Sequence, residues 1–170
     1  RYCPMDSVKL IILAQEPYTH DATGIAFSSN KTTASIRVLA SWLGINNIDD
    51  MDISFMSWVK QGVLMINASM TIEVSDNPVS HKILWEAFIR GCLNICSKKI
   101  PHICFLLLGN VAESYSTSIK SGFIIKEKHP AYYARNNIYE SKIDVFYAIN
   151  DHLDKYCIKK IDFWNNGRTI

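Results

Sequence analysis

The stretch "VKLIILAQEPYTHDATGIAFSS", residues 8–29, opens as a nearly unbroken apolar run and then breaks into a polar loop holding a carboxylate, a proline and two aromatic rings. A short apolar run that ends in a turn suits a strand buried on both faces of a sheet. Two more runs share that form, "GVLMINA" (62–68) and "ICFLLLG" (103–109), and "GFIIKEKHP" (122–130) is a fourth candidate that runs into His129-Pro130. Between them lie helical spacings: 32–43 (Ile36, Leu39, Ala40, Leu43), 79–97 (Ile83, Leu84, Ala87, Phe88, Cys92, Ile95) and 139–156 (Ile143, Phe146, Tyr147, Ile149, Leu153). Alternating strands and helices predict an α/β fold, a three-layer α/β/α sandwich around a central, mainly parallel four-stranded sheet. In such sheets ligands bind beyond the carboxyl ends of the strands. The loops to inspect are therefore 14–29, 67–77, 109–113 and 129–137.

A chain of 170 residues, 48% of them hydrophobic, suits one core rather than two, and no linker, repeat or low-complexity tract divides it, so residues 1–170 are expected to form one domain. The start at Arg1-Tyr2 suggests a longer protein with an N-terminal part ahead of it. Residues 1–90 carry 7 basic and 9 acidic side chains and residues 91–170 carry 11 and 7, so the later half is the one that suits an anionic partner. Five cysteines without a CxxC pair argue against a disulfide framework and for a reducing compartment. Cys92 and Cys96 share a helix face but have no His or carboxylate pattern beside them, which favours buried thiols over a metal site; neither a metal nor a cofactor is expected. No run is long enough to span a membrane and no signal peptide is visible, so the expectation is a soluble, intracellular protein without a membrane partner.

The strand-end loops hold Gln15, Glu16, Tyr18 and Phe27 after the first run, Asn67 after the second, and His129 after the fourth. Together these are a carboxylate, aromatic faces, an amide and an imidazole, a set suited to gripping a planar heterocycle. In order and spacing, "AQEPY" with its downstream Phe, "GVLMINA", "SHKILWEAF" and "HPAYYA" resemble the successive motifs of family-1 uracil-DNA glycosylases over nearly all of the chain. The short "DATGIAF" loop and the ending "FWNNGRTI" are similar to the poxvirus branch, whereas "KQGVLMIN" is nearer the cellular form.

The resemblance implies a DNA N-glycosylase that extrudes uracil and reads its edge and face. Phe27 would stack on the base, and Tyr18 would stand where a 5-methyl group projects. Gln15 would join them in the substrate site. Asn67 would donate to O4 and accept from N3–H, the reverse of what cytosine offers. His129 would donate to O2 as charge develops there, a role worth on the order of 3 kcal/mol. Glu16 stands where the family ordinarily carries Asp, although a more distant branch uses Glu there; this carboxylate would position water and stabilise the cationic sugar. The family's His after the Tyr is replaced by Thr19, and no role passes to His20.

For the DNA backbone the resemblance points to Ser35, Gly109, Asn110 and Arg135, and it aligns Tyr133 with the intercalating Leu of cellular enzymes. Ser80 is a possible cap of the helix that follows. Trp42, Trp58, Trp85 and Trp164 suit core or interface anchors. The competing function is a DNA-binding scaffold of a viral replication complex. There a polymerase processivity partner would meet Glu113 to Lys126 and the turn near Trp164, a homodimer is possible, and the compartment would be the host cytoplasm. A nucleotide-binding α/β protein of another kind is disfavoured, because no glycine-rich loop follows the first run.

Overall fold

A computed structural model of the chain describes residues 3–75 and 79–167. Arg1-Tyr2, the Asp76-Asn77 end of the second loop and the final Arg168-Thr169-Ile170 of the "FWNNGRTI" ending lie outside the described residues. Strand β1 (Leu10–Ala14) leads into the long polar loop and then helix α1 (Ala34–Trp42); a short α2 (Met56–Val59) precedes β2 (Val63–Asn67). Helix α3 (Lys82–Lys99) leads to β3 (Cys104–Leu108), α4 (Gly109–Glu113), β4 (Phe123–Glu127), α5 (Pro130–Arg135) and α6 (Ile143–Lys155). All strand pairs are parallel and the sheet order is β2-β1-β3-β4, the predicted four-stranded α/β architecture.

Strand periodicity divides the core into two layers. Leu10, Ile12 and Ala14 of β1, with Cys104, Leu106 and Leu108 of β3, face a cluster containing Ile36, Trp42, Trp58, Phe146 and Leu153. The intervening Ile11, Leu13, Phe105 and Leu107 face Ile89 and Leu93 of α3 and Tyr115. Both central strands are buried along their whole length. Strands β2 and β4 alternate between more and less buried positions, which corrects the reading of "GVLMINA" as covered on both faces. As edge strands they have one neighbour each, and fewer elements cover them.

Helix α1 starts where Thr33 caps it, its side chain accepting the Ile36 N–H at 3.3 Å. Helix α3 starts at His81 without a side-chain cap, so Ser80 does not serve as one; it forms an isolated bridge with Ile72 instead. Trp42 and Trp58 are core residues and Trp85 is half-buried. Trp164 remains 37% exposed, its indole N–H donating to the Leu43 carbonyl at 3.0 Å. All five cysteines are free thiols.

The chain after α6 is tied back by Asn150, whose amide donates to Ile161 O at 2.9 Å and accepts from Ile161 N–H at 2.8 Å. This tie brings Phe163 against Trp58 and Phe146, with ring centroids 5.2 Å and 4.8 Å away. Asn150→Ala leaves two buried backbone groups unpaired and is expected to lower stability by about 2 to 4 kcal/mol. Urea unfolding should show a lower midpoint at unchanged slope.

Candidate active site

β1 and β2 end side by side, Ala14 opposite Asn67 in the parallel register. The Ala68 and Ser69 N–H groups then donate to the carbonyls of Ala14 and Gln15 at 3.0 and 2.9 Å, holding the two loops together past the last strand residues. A small cavity of about 170 Å³ lies at this junction, lined by Pro17, Tyr18, Ala26, Phe27, Met65 and Asn67, among others. That volume is well below a drug-sized pocket and suits a single ring. A larger cleft of about 590 Å³, with Lys9, Lys60, His102 and Lys159 in its walls, lies at the opposite, amino-terminal edge of the sheet. The small cavity is the better candidate because it sits at the carboxyl ends, where backbone groups and loop side chains converge.

Phe27 is 7% exposed and holds a left-handed backbone, φ 65°. A bulky residue there is strained by on the order of 1 to 3 kcal/mol, and such strain concentrates at functional sites. The loop supports it through a bridge between Ala22 and Ser29 and through the bonds Ser28 N–H to Ile25 O and Asn30 N–H to Asp21 O. Tyr18 is fixed by a 2.8 Å hydrogen bond with Thr33 Oγ1, and burial raises its pKa. Asn67 is 8% exposed, and its Oδ1 is buried without a hydrogen-bond partner among the described residues. An orphaned buried acceptor is costly, and here it sits in the wall of a cavity where a donor on a bound ring can satisfy it.

His129 joins the cavity through Phe27, their ring centroids being 5.4 Å apart and tilted by 33°. It caps α5: Nδ1 accepts the Ala131 N–H at 3.1 Å, which leaves the proton of the neutral ring on Nε2. Burial, with the Arg135 charge adding to it, lowers its pKa to about 4, so the imidazole is neutral near pH 7. Gly109 makes room for it: a Cβ there would come within 2.9 Å of the His129 Cβ, and its φ is +88°. Glu16 is half-buried at the start of the loop that leaves β1, and no described residue bonds its carboxylate.

Tyr18, Phe27 and Asn67 thus share one cavity with His129 against its aromatic wall, and Glu16 adjoins it through Pro17. Gln15 is exposed and contributes its backbone carbonyl to the loop pairing. Asn110 and Arg135 are exposed, as contacts to a phosphate require. Ser35 is only 7% exposed, with its hydroxyl beside Tyr18 rather than on the surface. Tyr133 is corrected outright: it is 5% exposed, its hydroxyl donates to Glu127 at 2.7 Å, and its ring meets the edge of Trp42. It cannot wedge into a base stack from there. The exposed ring of that turn is Tyr132, with the Lys128 ammonium 4.2 Å from its centroid. Sequence reasoning missed the cavity-wall residues Met65 and Met70. The period of two in β2 could have found Met65, which shares a face with Asn67.

A family model described as the uracil DNA glycosylase superfamily matches residues 1–154. The uracil-DNA glycosylase of Acinetobacter baumannii (strain SDF) is 30% identical, over 94% of this chain and 71% of its own length. That of Borrelia hermsii is 34% identical, over 79% of this chain and 64% of its own length. The crystal structure of mimivirus uracil-DNA glycosylase superimposes with a TM-score of 0.78 at 25% identity, over 96% of this chain and 70% of that one. The chain is thus shorter than each of these relatives.

Two outcomes are expected of the imidazole. Its folded pKa of about 4 lies below the ordinary 6.5, so between these values the unfolded chain binds a proton that the folded chain does not. Its contribution to stability is therefore full above pH 6.5 and lost as pH falls toward 4; NMR titration should place the His129 midpoint near 4. Gly109→Ala should displace the ring and lower any activity of the site by roughly 10- to 100-fold while the fold persists, as checked by kinetics beside circular dichroism.

Proposed function

Because this chain belongs to the uracil DNA glycosylase superfamily, we propose that it hydrolyses the N-glycosidic bond of an extruded uracil in DNA, leaving an abasic site. It is a DNA N-glycosylase, and its activity serves base excision repair. The observation that carries the substrate is the unpaired, buried Oδ1 of Asn67 in the wall of a ring-sized cavity. Uracil presents N3–H to that acceptor and O4 to the amide NH2, whereas cytosine presents an acceptor and a donor in the same places. A mismatched base would leave polar groups buried and unpaired, which is where strong discrimination comes from.

Phe27 stacks on the base, and its strained backbone fixes the plane before the base arrives. Tyr18, held by Thr33, occupies the side where a thymine methyl would project. As C1′–N1 breaks, its electron pair leaves with the base, and negative charge grows on O2. The neutral His129 meets that charge with its Nε2–H, a donor aligned beforehand by the bond to Ala131. Glu16, whose carboxylate oxygens have no partner among the described residues, faces the positive charge on the sugar, orients the water whose oxygen forms the new C1′–O bond, and accepts the proton that this water loses. Its extra methylene relative to Asp shifts those oxygens, so turnover is expected below that of an Asp enzyme. Asn110, Gly109 and Arg135 hold the flanking phosphates.

A poxvirus-type branch is the finer assignment, supported by the short loop from Pro17 to Phe27 and by the Trp164-x-x-Gly167 ending. With it goes a second reading, a DNA-binding scaffold that meets a polymerase processivity partner in the host cytoplasm. The observation favouring it is an exposed ring pair, Tyr147 at 49% and Trp164 at 37% exposure with centroids 5.8 Å apart, outside the cavity. Substitutions at that pair are expected to abolish partner binding and leave base release intact.

The deciding experiment is uracil release from single- and double-stranded uracil-containing DNA at low salt. The parent chain should release uracil, Asn67→Ala should lose on the order of 100-fold or more in kcat/KM, and Glu16→Asp should be faster than the parent. A folded parent chain that releases no uracil above a buffer control would exclude the enzymatic assignment.

A further inference from the structure

The resemblance aligns Tyr133 with a residue that wedges into DNA, yet the fold buries it. The turn from β4 into α5 brings Glu127 and Tyr133 together across His129. Tyr133 Oη donates to Glu127 Oε1 at 2.7 Å, and the Lys128 N–H donates to the same oxygen at 2.8 Å. Lys142, the residue just before α6, places Nζ 3.2 Å from Glu127 Oε2 and 5.1 Å from the centre of the Tyr133 ring. The two charged side chains are only 18% and 20% exposed. Although burial works against it, the Glu127 carboxyl stays below its usual range, held there by the Tyr133 hydroxyl, the Lys128 N–H and Lys142. On its other side the phenol ring meets the edge of Trp42 in α1 with centroids 5.5 Å apart.

None of these groups lines the cavity. Their effect on it runs through α5, which has six residues and is too short to hold its own shape in water. Its first turn is nonetheless what aims the imidazole, because His129 Nδ1 is bonded to the Ala131 N–H of that turn. We propose that Tyr133 and Glu127 are positioning residues for His129: the phenol–carboxylate tie, anchored by Lys142, fixes the first turn of α5 and so the direction of the Nε2–H. The inference rests on His129 being the donor to the departing base.

Tyr133→Phe keeps the ring against Trp42 and removes only the tie. It should lower kcat roughly tenfold with KM within twofold, since the loss is in aim and not in substrate contact. Freed from its fixed turn, the imidazole should become better hydrated, and its NMR titration midpoint should rise from about 4 toward 6.5. Glu127→Gln, which retains an acceptor for the phenol, should lose less than Glu127→Leu. In the Glu127→Leu background the Tyr133→Phe change should have no further effect on kcat.

A Tyr133→Phe protein that melts earlier but keeps the parent kcat and the parent His129 midpoint would reduce the tie to plain stabilisation and overturn the inference. An equal loss from Tyr133→Phe with and without Glu127 would do the same. If the parent releases no uracil, the assigned reaction fails, and the midpoint alone decides: a shift on Tyr133→Phe upholds the tie and an unmoved midpoint overturns it.

Discussion

Strand β1 is hydrogen-bonded on both edges and covered on both faces, and this double confinement is the constraint from which the rest of the molecule follows. Its register fixes Ala14 beside Asn67 on one flank and Leu13 beside Leu107 on the other. A slip of one residue would turn every side chain into the wrong layer. The carboxyl ends of three strands therefore finish at one level, and the loops leaving them have no choice but to meet. With β4 paired in turn to β3, the His129 turn is delivered to the same edge.

What gathers there is a set of groups held in states they would not choose in isolation. Phe27 sits in a left-handed backbone conformation, Asn67 hides an unpaired oxygen, and His129 is kept from taking a proton at ordinary pH. Each is unfavourable by itself, and each is sustained by ordinary packing and hydrogen bonding nearby. The helix cap at His129 and the glycine at 109 show how little is needed: one backbone N–H and the absence of one methyl group set the place of the ring. In the proposed reaction a neutral donor in such a poorly hydrated setting would act on growing negative charge more strongly than in water, and it would be in place before the charge appears.

Much of this was legible in the sequence, and the limits have physical causes. The central strands read clearly because burial on both faces leaves an unbroken apolar run, and the three longer helices are where the spacing puts them; in α3, however, the counted residues Ile83, Leu84, Phe88 and Ile95 are exposed, and Ile89, Leu93 and Cys96 form the buried face. The edge strand β2 read too apolar, since neighbours, which no local pattern reveals, decide how much of each face is covered. Tyr133 was misread for a different reason. Helix α5 begins at once after His129, and steps of about 100° per residue then send position 133 inward and 132 outward; the choice hangs on where the helix starts, not on composition. Ser35 and Ser80 show the same dependence on phase, one turned under the surface and the other one residue short of a cap. The Glu127–Tyr133–Lys142 group joins residues up to 15 positions apart through a fold that must exist before they can meet.

The loop from Gln15 to Ser29 carries its own internal bonds and a cross-bridge, so the wall of the candidate cavity is braced before anything occupies it. Stiffness on the protein side transfers the work of adaptation to the nucleic acid, whose nucleotide must leave its stack and rotate outward. That work is least at mismatches and in single strands. Under the proposed function such a braced loop would act as a filter on DNA mechanics: among chemically identical uracils, those in weakly stacked surroundings would be captured first.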